Sequence, residues 1–301
     1  MADDPADDLL DRLAARCDFP PPGRAVTCAV SGGADSLALL ALAAHAGCRV
    51  TAVHVDHGLR PGSAAEAEVV RRAAERFGAA FRAESVRVPP GPNLEARARA
   101  ARYAVLPPDV LTGHTADDQA ETVLLNLLRG AGLDGLAGMD PARRPLRRLR
   151  RRETRALCEA LELSPVADHT NVDPAFRRNR VRHELIPLLD DIAGRDVVPV
   201  IARQADLLRD DAALLDELAA ELDPRDARAL AAAPPALARR AVRRWLREAG
   251  PGGEERHPPD AAATERVLSV ARGEAVACEV AGGWRVARSR GRLRLEPPGR
   301  R

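Results

Sequence analysis

The chain has 301 residues, 46% of them hydrophobic and only 2% aromatic, so it can hold about two domains with cores of Leu, Val and Ala. Net charge is +2 and all 46 basic residues are arginine, which excludes a Walker A lysine, a lysine nucleophile and a Schiff base. No apolar run approaches the roughly 18 residues of a membrane span, MADDPADDLL is too acidic for a signal or transit peptide, and Cys17, Cys28, Cys48, Cys158 and Cys278 form no CxxC.

A cytoplasmic protein is therefore expected, with no membrane contact, disulfide framework, zinc site or iron–sulfur site. Residues 25–30 (AVTCAV) predict a short buried strand, and Asp35 to about Ala46 a helix. Residues 49–55 predict a strand, 62–77 a helix and 80–88 an alternating strand. Asn93 is a candidate N-cap for a helix running to about Leu106, with Glu95 in its first turn. Residues 109–113 predict a very short strand and 116–129 a helix. Strands alternating with helices imply βαβ units and a parallel sheet covered on both faces. Beyond about residue 150 the pattern turns helical, over 151–162, 176–190 and 197–222. Pro and Gly cluster at 251–259, and 275–296 predicts a small β-hairpin around Gly282-Gly283. The expected fold is an α/β domain over 1–195, then a helical connector and a small α+β domain over 196–301.

The most informative stretch is Ser31-Gly32-Gly33-Ala34-Asp35-Ser36, between the first strand and its helix. In open α/β sheets ligands bind at such junctions. Two glycines let the backbone turn and approach a ligand. The freed amides and the helix N-terminus make an anion site. A carboxylate among phosphate-binding groups would repel the anion unless Mg²⁺ lies between them. Asp35 is therefore the first Mg²⁺ candidate, and Asp117 or Asp118 the second. Gly130-Ala131-Gly132-Leu133-Asp134-Gly135 also matches GxGxxG, but it follows a helix and reads as a helix C-cap and turn.

Asp118 and Glu121 stand three residues apart, on one helix face near its N-terminus. They could hold a second metal or a cationic amine, or simply complement the helix dipole. His54, His57 and His114 fall at the same sheet edge. Arginines crowd 143–155 and 177–182, where they form either a solvated face or a track for RNA phosphates.

SGGADS resembles the pyrophosphate loop of the N-type ATP pyrophosphatases, whose domain is Rossmann-like. Further stretches narrow the resemblance: HVDHGLR from His54, NLEARARAARY from Asn93, TGHTADDQAET from Thr112, DHTN from Asp168, and Arg178-Asn179-Arg180-Val181-Arg182-His183. In this order, over about 24–190, they resemble the tRNA(Ile)-lysidine synthetase family. The short length is similar to members that lack the last C-terminal domain.

The resemblance implies a ligase that forms a carbon–nitrogen bond. ATP adenylates the C2 carbonyl oxygen of the wobble cytidine in a CAU-anticodon isoleucine tRNA, and pyrophosphate leaves. The amine of free lysine then displaces AMP, giving lysidine. The resemblance also implies residue roles. Ser31 to Ser36 would bind pyrophosphate, and His54 and His57 would lie on the adenosine side. His114, Asp118, Glu121 and Arg97 would serve catalysis and lysine binding, and Arg178, Asn179 and Arg182 would meet tRNA or phosphate. Asp35 and Asp117 would hold Mg²⁺. Few aromatics are available to stack the base, with Trp245 and Trp284 in the C-terminal half. A homodimer is left open. The alternatives are a tRNA thiolation enzyme, for which the CxxC is missing, and a non-catalytic tRNA-binding relative.

Overall fold

The computed structural model describes residues 5–56, 63–87, 91, 94–166, 173–249 and 260–298. The chain divides into two compact units, Met1–Asp206 and Leu207–Arg301.

The first unit is built on a four-stranded parallel sheet of order β3-β2-β1-β4, from β1 (Ala25–Ala29), β2 (Arg49–Asp56), β3 (Ala80–Ser85) and β4 (Leu111–Thr112). The connecting helices are α2 (Ala34–His45), α3 (Ser63–Arg76) and α4 (Leu94–Val105), preceded by α1 (Pro5–Ala14). The chain steps outward from β1 to β3 and then returns to the far side of β1 as β4. That reversal opens a crevice between the carboxyl ends of β1 and β4, where doubly wound sheets bind ligands.

Helix α2 is the centre of the core. Leu37 through Ala43 are all at most 1% exposed, because both sides of the helix are covered. Helix α1 contributes Leu10 and Leu13 to the same core. No strand or helix assignment from the sequence covered this segment, although leucines three and four apart mark an apolar stripe.

After β4 come α5 (Ala116–Leu128), the short α6 (Leu133–Leu136) and α7 (Arg151–Ala160). Gly130 has a φ of +75°, so the GxGxxG match is a helix end and turn. The expected strand at 109–113 shrinks to two residues, since Pro107-Pro108 precede it and Gly113 follows it. The helix expected over 176–190 is α8 (Arg177–Arg180), a π-helical turn over Val181–Leu185 and α9 (Ile186–Ala193), and left-handed Gly194 stops it. Helix α10 (Val198–Ala220) contains the division between the units.

The second unit comprises the rest of α10, α11 (Ala227–Ala232), α12 (Pro235–Ala249), α13 (Ala261–Arg272) and an antiparallel sheet. That sheet has three strands, β5 (Ala277–Val280), β6 (Trp284–Ser289) and β7 (Arg292–Glu296), rather than a single hairpin. The second turn is made by Arg290 and Gly291, with φ of +50° and +76°. Trp245 is 5% exposed in this unit's core, and half-buried Trp284 packs against it, so Trp245 offers no surface to a nucleobase. Among the described residues no helix is long and apolar enough to cross a membrane.

Candidate active site

The SGGADS loop closes the gap from β1 to α2. Gly32 has a φ of +87°, a backbone state open to glycine at no steric cost. Gly33 starts α2 with no side chain capping the first turn, which leaves the positive end of the helix to an anion. The loop is held from inside. The Ser36 hydroxyl donates to the Gly33 carbonyl at 2.8 Å and accepts from the Ser31 amide at 3.2 Å. At the end of β4, a Cβ on Gly113 would stand 2.5 Å from the Asp35 carbonyl oxygen, so the end of β4 meets the first turn of α2 through bare backbone.

Over this junction lies a cavity of about 930 Å³. Of the expected residues, Ser31, Gly33, Ala34, Asp35, Ser36, His54, His114, Asp118 and Arg182 line it. Gly32 stands behind the wall, against Val166 and Val70.

Asp35 accepts a hydrogen bond from the Thr154 hydroxyl, and the Arg151 guanidinium is 3.5 Å away. Burial and the neighbouring Asp118 charge push the Asp35 carboxyl up to about 6, against Thr154 and Arg151. A carboxylate so short of positive charge fits a divalent cation.

Asp118 and Glu121 do share a helix face, and that face is filled by arginine. Arg151 donates to Asp118 at 3.0 Å and to Glu121 at 3.1 Å. Arg178 donates to the same two carboxylates at 3.0 and 2.6 Å. Arg182 reaches Glu121 at 2.7 Å. Burial alone would raise the Asp118 carboxyl, but Arg151 and Arg178 outweigh it and hold it well below the usual carboxylate range. Arg178 and Arg182, expected to meet tRNA or phosphate, are thus turned inward, four residues apart on one face.

Asp117 departs from its expected place beside Asp35. Consecutive helix residues project about 100° apart, so only one of Asp117 and Asp118 can face the crevice. Asp117 is instead bound by Arg150 at 3.0 and 3.1 Å and by the Arg151 amide at 2.8 Å, and it does not line the cavity. Arg97 donates to the Gly91 carbonyl at 2.6 Å, and the buried Asn179 side chain donates to the Asp173 carbonyl at 2.8 Å. Neither lines the cavity. His57, the HGLR stretch it opens, Asn93 and the DHTN motif at 168–171 lie outside the described residues.

His54 is 2% exposed, and its Nδ1 stands 3.0 Å from the Val30 carbonyl. Facing a carbonyl, Nδ1 carries a proton, so in the neutral ring Nε2 is an acceptor, and it is buried without a partner. An orphaned acceptor in a cavity wall fits a donor on a bound nucleoside. His114 Nδ1 pairs with the Thr112 hydroxyl at 2.7 Å, and burial pushes its imidazole down to about 4.

A PP-loop domain model matches residues 8–189, more than half of the chain, and a TilS substrate binding domain model matches 226–294. The tRNA(Ile)-lysidine synthase of Nocardia farcinica is 47% identical over 249 residues, covering 77% of this chain and 78% of the relative. The chain belongs to the tRNA(Ile)-lysidine synthase family.

The tRNA(Ile)-lysidine synthase of Salinispora tropica is 43% identical over 95% of this chain and 94% of its own. The family is one of ATP-using ligases that modify tRNA. The U34-tRNA thiolase NcsA of Methanococcus maripaludis shares the fold, with a TM-score of 0.52 over 68% of this chain and 78% of that one at 18% identity. That thiolase carries a [4Fe-4S] cluster. In this lysidine synthase family member no group of three His, Cys, Asp or Glu side chains gathers as a metal cage among the described residues. Cys158, on the cavity wall, is a buried thiol that burial pushes up to about 12.

Two partners of Asp35, of which Arg151 lines the cavity, escaped the sequence reading. Arg151 and Thr154 both reach Asp35, and both belong to the arginine-rich stretch read as a solvated face or an RNA track. Only 14% of the Arg150 and Arg151 side chains is exposed, so that stretch is in part an internal counter-charge.

Proposed function

We propose that this chain ligates free lysine to C2 of the wobble cytidine of a CAU-anticodon isoleucine tRNA. The C2 carbonyl oxygen attacks the α-phosphorus of ATP, and pyrophosphate leaves. The lysine amine then attacks C2, the C–O bond to AMP breaks, and the amine loses a proton. The observation that carries the reading is one cavity that holds both the Ser31–Ser36 loop with Asp35 and the Asp118 end of the arginine-bound carboxylates.

The loop amides and the α2 N-terminus would bind the phosphates that carry developing charge. Asp35 would hold Mg²⁺, which supplies neutralisation of the triphosphate. His54 Nε2 would accept from the nucleoside. Asp118 and Glu121 would receive the cationic lysine, with His114 neutral beside Asp118. Residues 1–195 would carry the catalysis, and 196–301 would help to hold tRNA. The proposed place of action is the cytoplasm.

The test is transfer of radiolabelled lysine from solution to a CAU-anticodon isoleucine tRNA transcript, with ATP and Mg²⁺ and a methionine tRNA as control. Label on the isoleucine tRNA alone supports the reading. No label from a folded, ATP-binding protein overturns it, and sulfur transfer becomes the assay to run.

A further inference from the structure

One group of arginines, gathered around a tyrosine of the cavity wall, makes no ion pair among the described residues. Arg99, Arg102 and Tyr103 lie on α4, and Arg144 follows the 3-10 turn Pro141–Arg143. The guanidinium carbons of Arg99 and Arg102 stand 5.0 and 5.3 Å from the centre of the Tyr103 ring. Tyr103 is the only tyrosine in the chain. Among the described residues no other Phe, Tyr or Trp lines the cavity, and Arg102 lines it too.

Elsewhere in the cavity wall, Arg151 and Arg182 are each matched to carboxylates. Arg99, Arg102 and Arg144 form no ion pair among the described residues. Asp140 is an acidic neighbour of Arg144, but its Oδ1 accepts the Ala142 amide at 3.0 Å. The Arg144 Nε is buried without a partner. Burial pushes the Arg102 and Arg144 guanidiniums down, and the charge of Arg99 adds to that. Like charges gathered with no ion-paired partner cost free energy, and an anion would relieve that cost.

Cations around an aromatic ring form the combination that binds single-stranded nucleic acid, charge on the backbone and a flat face for the base. The triphosphate has its own anion site at the SGGADS loop, further along the cavity. A wobble base must leave its stack before any enzyme reaches its C2 oxygen.

We infer that Arg99, Arg102, Tyr103 and Arg144 are the docking surface for the anticodon loop, with the guanidiniums on its phosphates and Tyr103 stacking the splayed base. This rests on the proposed function only in taking RNA as the substrate. Arg99, the exposed one of the three, can leave the ring for a phosphate and yield that face to the base.

The test uses the whole enzyme without ATP, a fluorescein-labelled RNA hairpin with the CAU anticodon loop, and titrations at several salt concentrations. Arg99→Gln and Arg144→Gln are each expected to weaken binding and to flatten the plot of log K against log salt by about 0.7 per lost contact. Tyr103→Leu is expected to weaken binding about tenfold, and Tyr103→Phe to keep it. ATP affinity by equilibrium dialysis should not change in any of them. Unchanged RNA affinity and salt slope in Arg99→Gln and Tyr103→Leu, at a wild-type melting temperature, would overturn the inference. So would lost ATP affinity with RNA binding intact, which would give the cluster to the triphosphate. A hairpin bound through the cluster while full tRNA gains no lysine would overturn the proposed reaction and leave the surface standing.

Discussion

Arg182 Nε donates to Glu121 Oε1 at 2.7 Å, and the Glu121 side chain has no exposure at all. Three guanidiniums, Arg151, Arg178 and Arg182, stand against three carboxylates, Asp35, Asp118 and Glu121. The ligand-free cluster is internally neutral. A lysine amine arriving alone would have to displace an arginine and leave it buried without a partner, which costs about 3–5 kcal/mol. Bound ATP phosphates would give Arg151 and Arg182, both on the cavity wall, another partner.

Lysine and ATP should therefore bind cooperatively. In calorimetry, a non-hydrolysable ATP analogue is expected to tighten lysine binding about tenfold or more, and lysine should tighten the analogue by the same factor. Arg182→Ala should shrink this coupling. A lysine Kd indifferent to the analogue would rule the exchange out.

Within that cluster Asp35 is the carboxylate that burial and Asp118 leave under-compensated, and the sign follows from its raised carboxyl. A group near 6 in the folded chain and near 3.8 when unfolded favours folding in its protonated form. Below the unfolded value both states are protonated and the ionised carboxylate costs nothing. The cost grows as pH rises from about 4 to 6 and is constant above. Asp35→Asn should then stabilise the ligand-free enzyme by about 1–3 kcal/mol at pH 7.5 and by nothing at pH 3.5. Urea midpoints at the two pH values check this, and a variant less stable than wild type at pH 7.5 would contradict it. The same variant should lose lysine transfer.

Gly113 is predicted to tolerate no side chain. Its nearest neighbours are backbone atoms of Asp35 and Ser36, which no rotamer change can move. Gly113→Ala should cost about 1–3 kcal/mol or more and displace the loop proposed to hold ATP. A thermal melt and ATP titration of the variant measure both effects. Wild-type ATP affinity would show that β4 does not brace the loop.

Much of this site is legible in the sequence where it is local. The strand, the paired glycines and the helix of SGGADS are contiguous, so Gly32 at positive φ follows from residue order alone. Asp118 and Glu121 share a face for the same reason. Long-range partners are not legible. Arg151 and Thr154 reach Asp35 because α7 packs on α2, which no local pattern encodes. The two aspartates at 117 and 118 are equivalent as letters but differ by about 100° of helix rotation. An arginine run cannot reveal which members turn inward, since the carboxylates that draw Arg150, Arg178 and Arg182 lie about 30 to 60 positions away.

The central claim is that two half-reactions are divided between activation at Asp35 and lysine delivery at the Asp118–Glu121 pair, whose Asp118 lines the same cavity as Asp35. The direct measurement is tRNA-dependent ATP–pyrophosphate exchange without lysine, beside lysine transfer, in Asp35→Asn and Glu121→Gln below their melting temperatures. Asp35→Asn should lose both activities, whereas Glu121→Gln should keep the exchange and lose the transfer. Exchange retained by Asp35→Asn, or abolished in a folded, ATP-binding Glu121→Gln, would contradict that division.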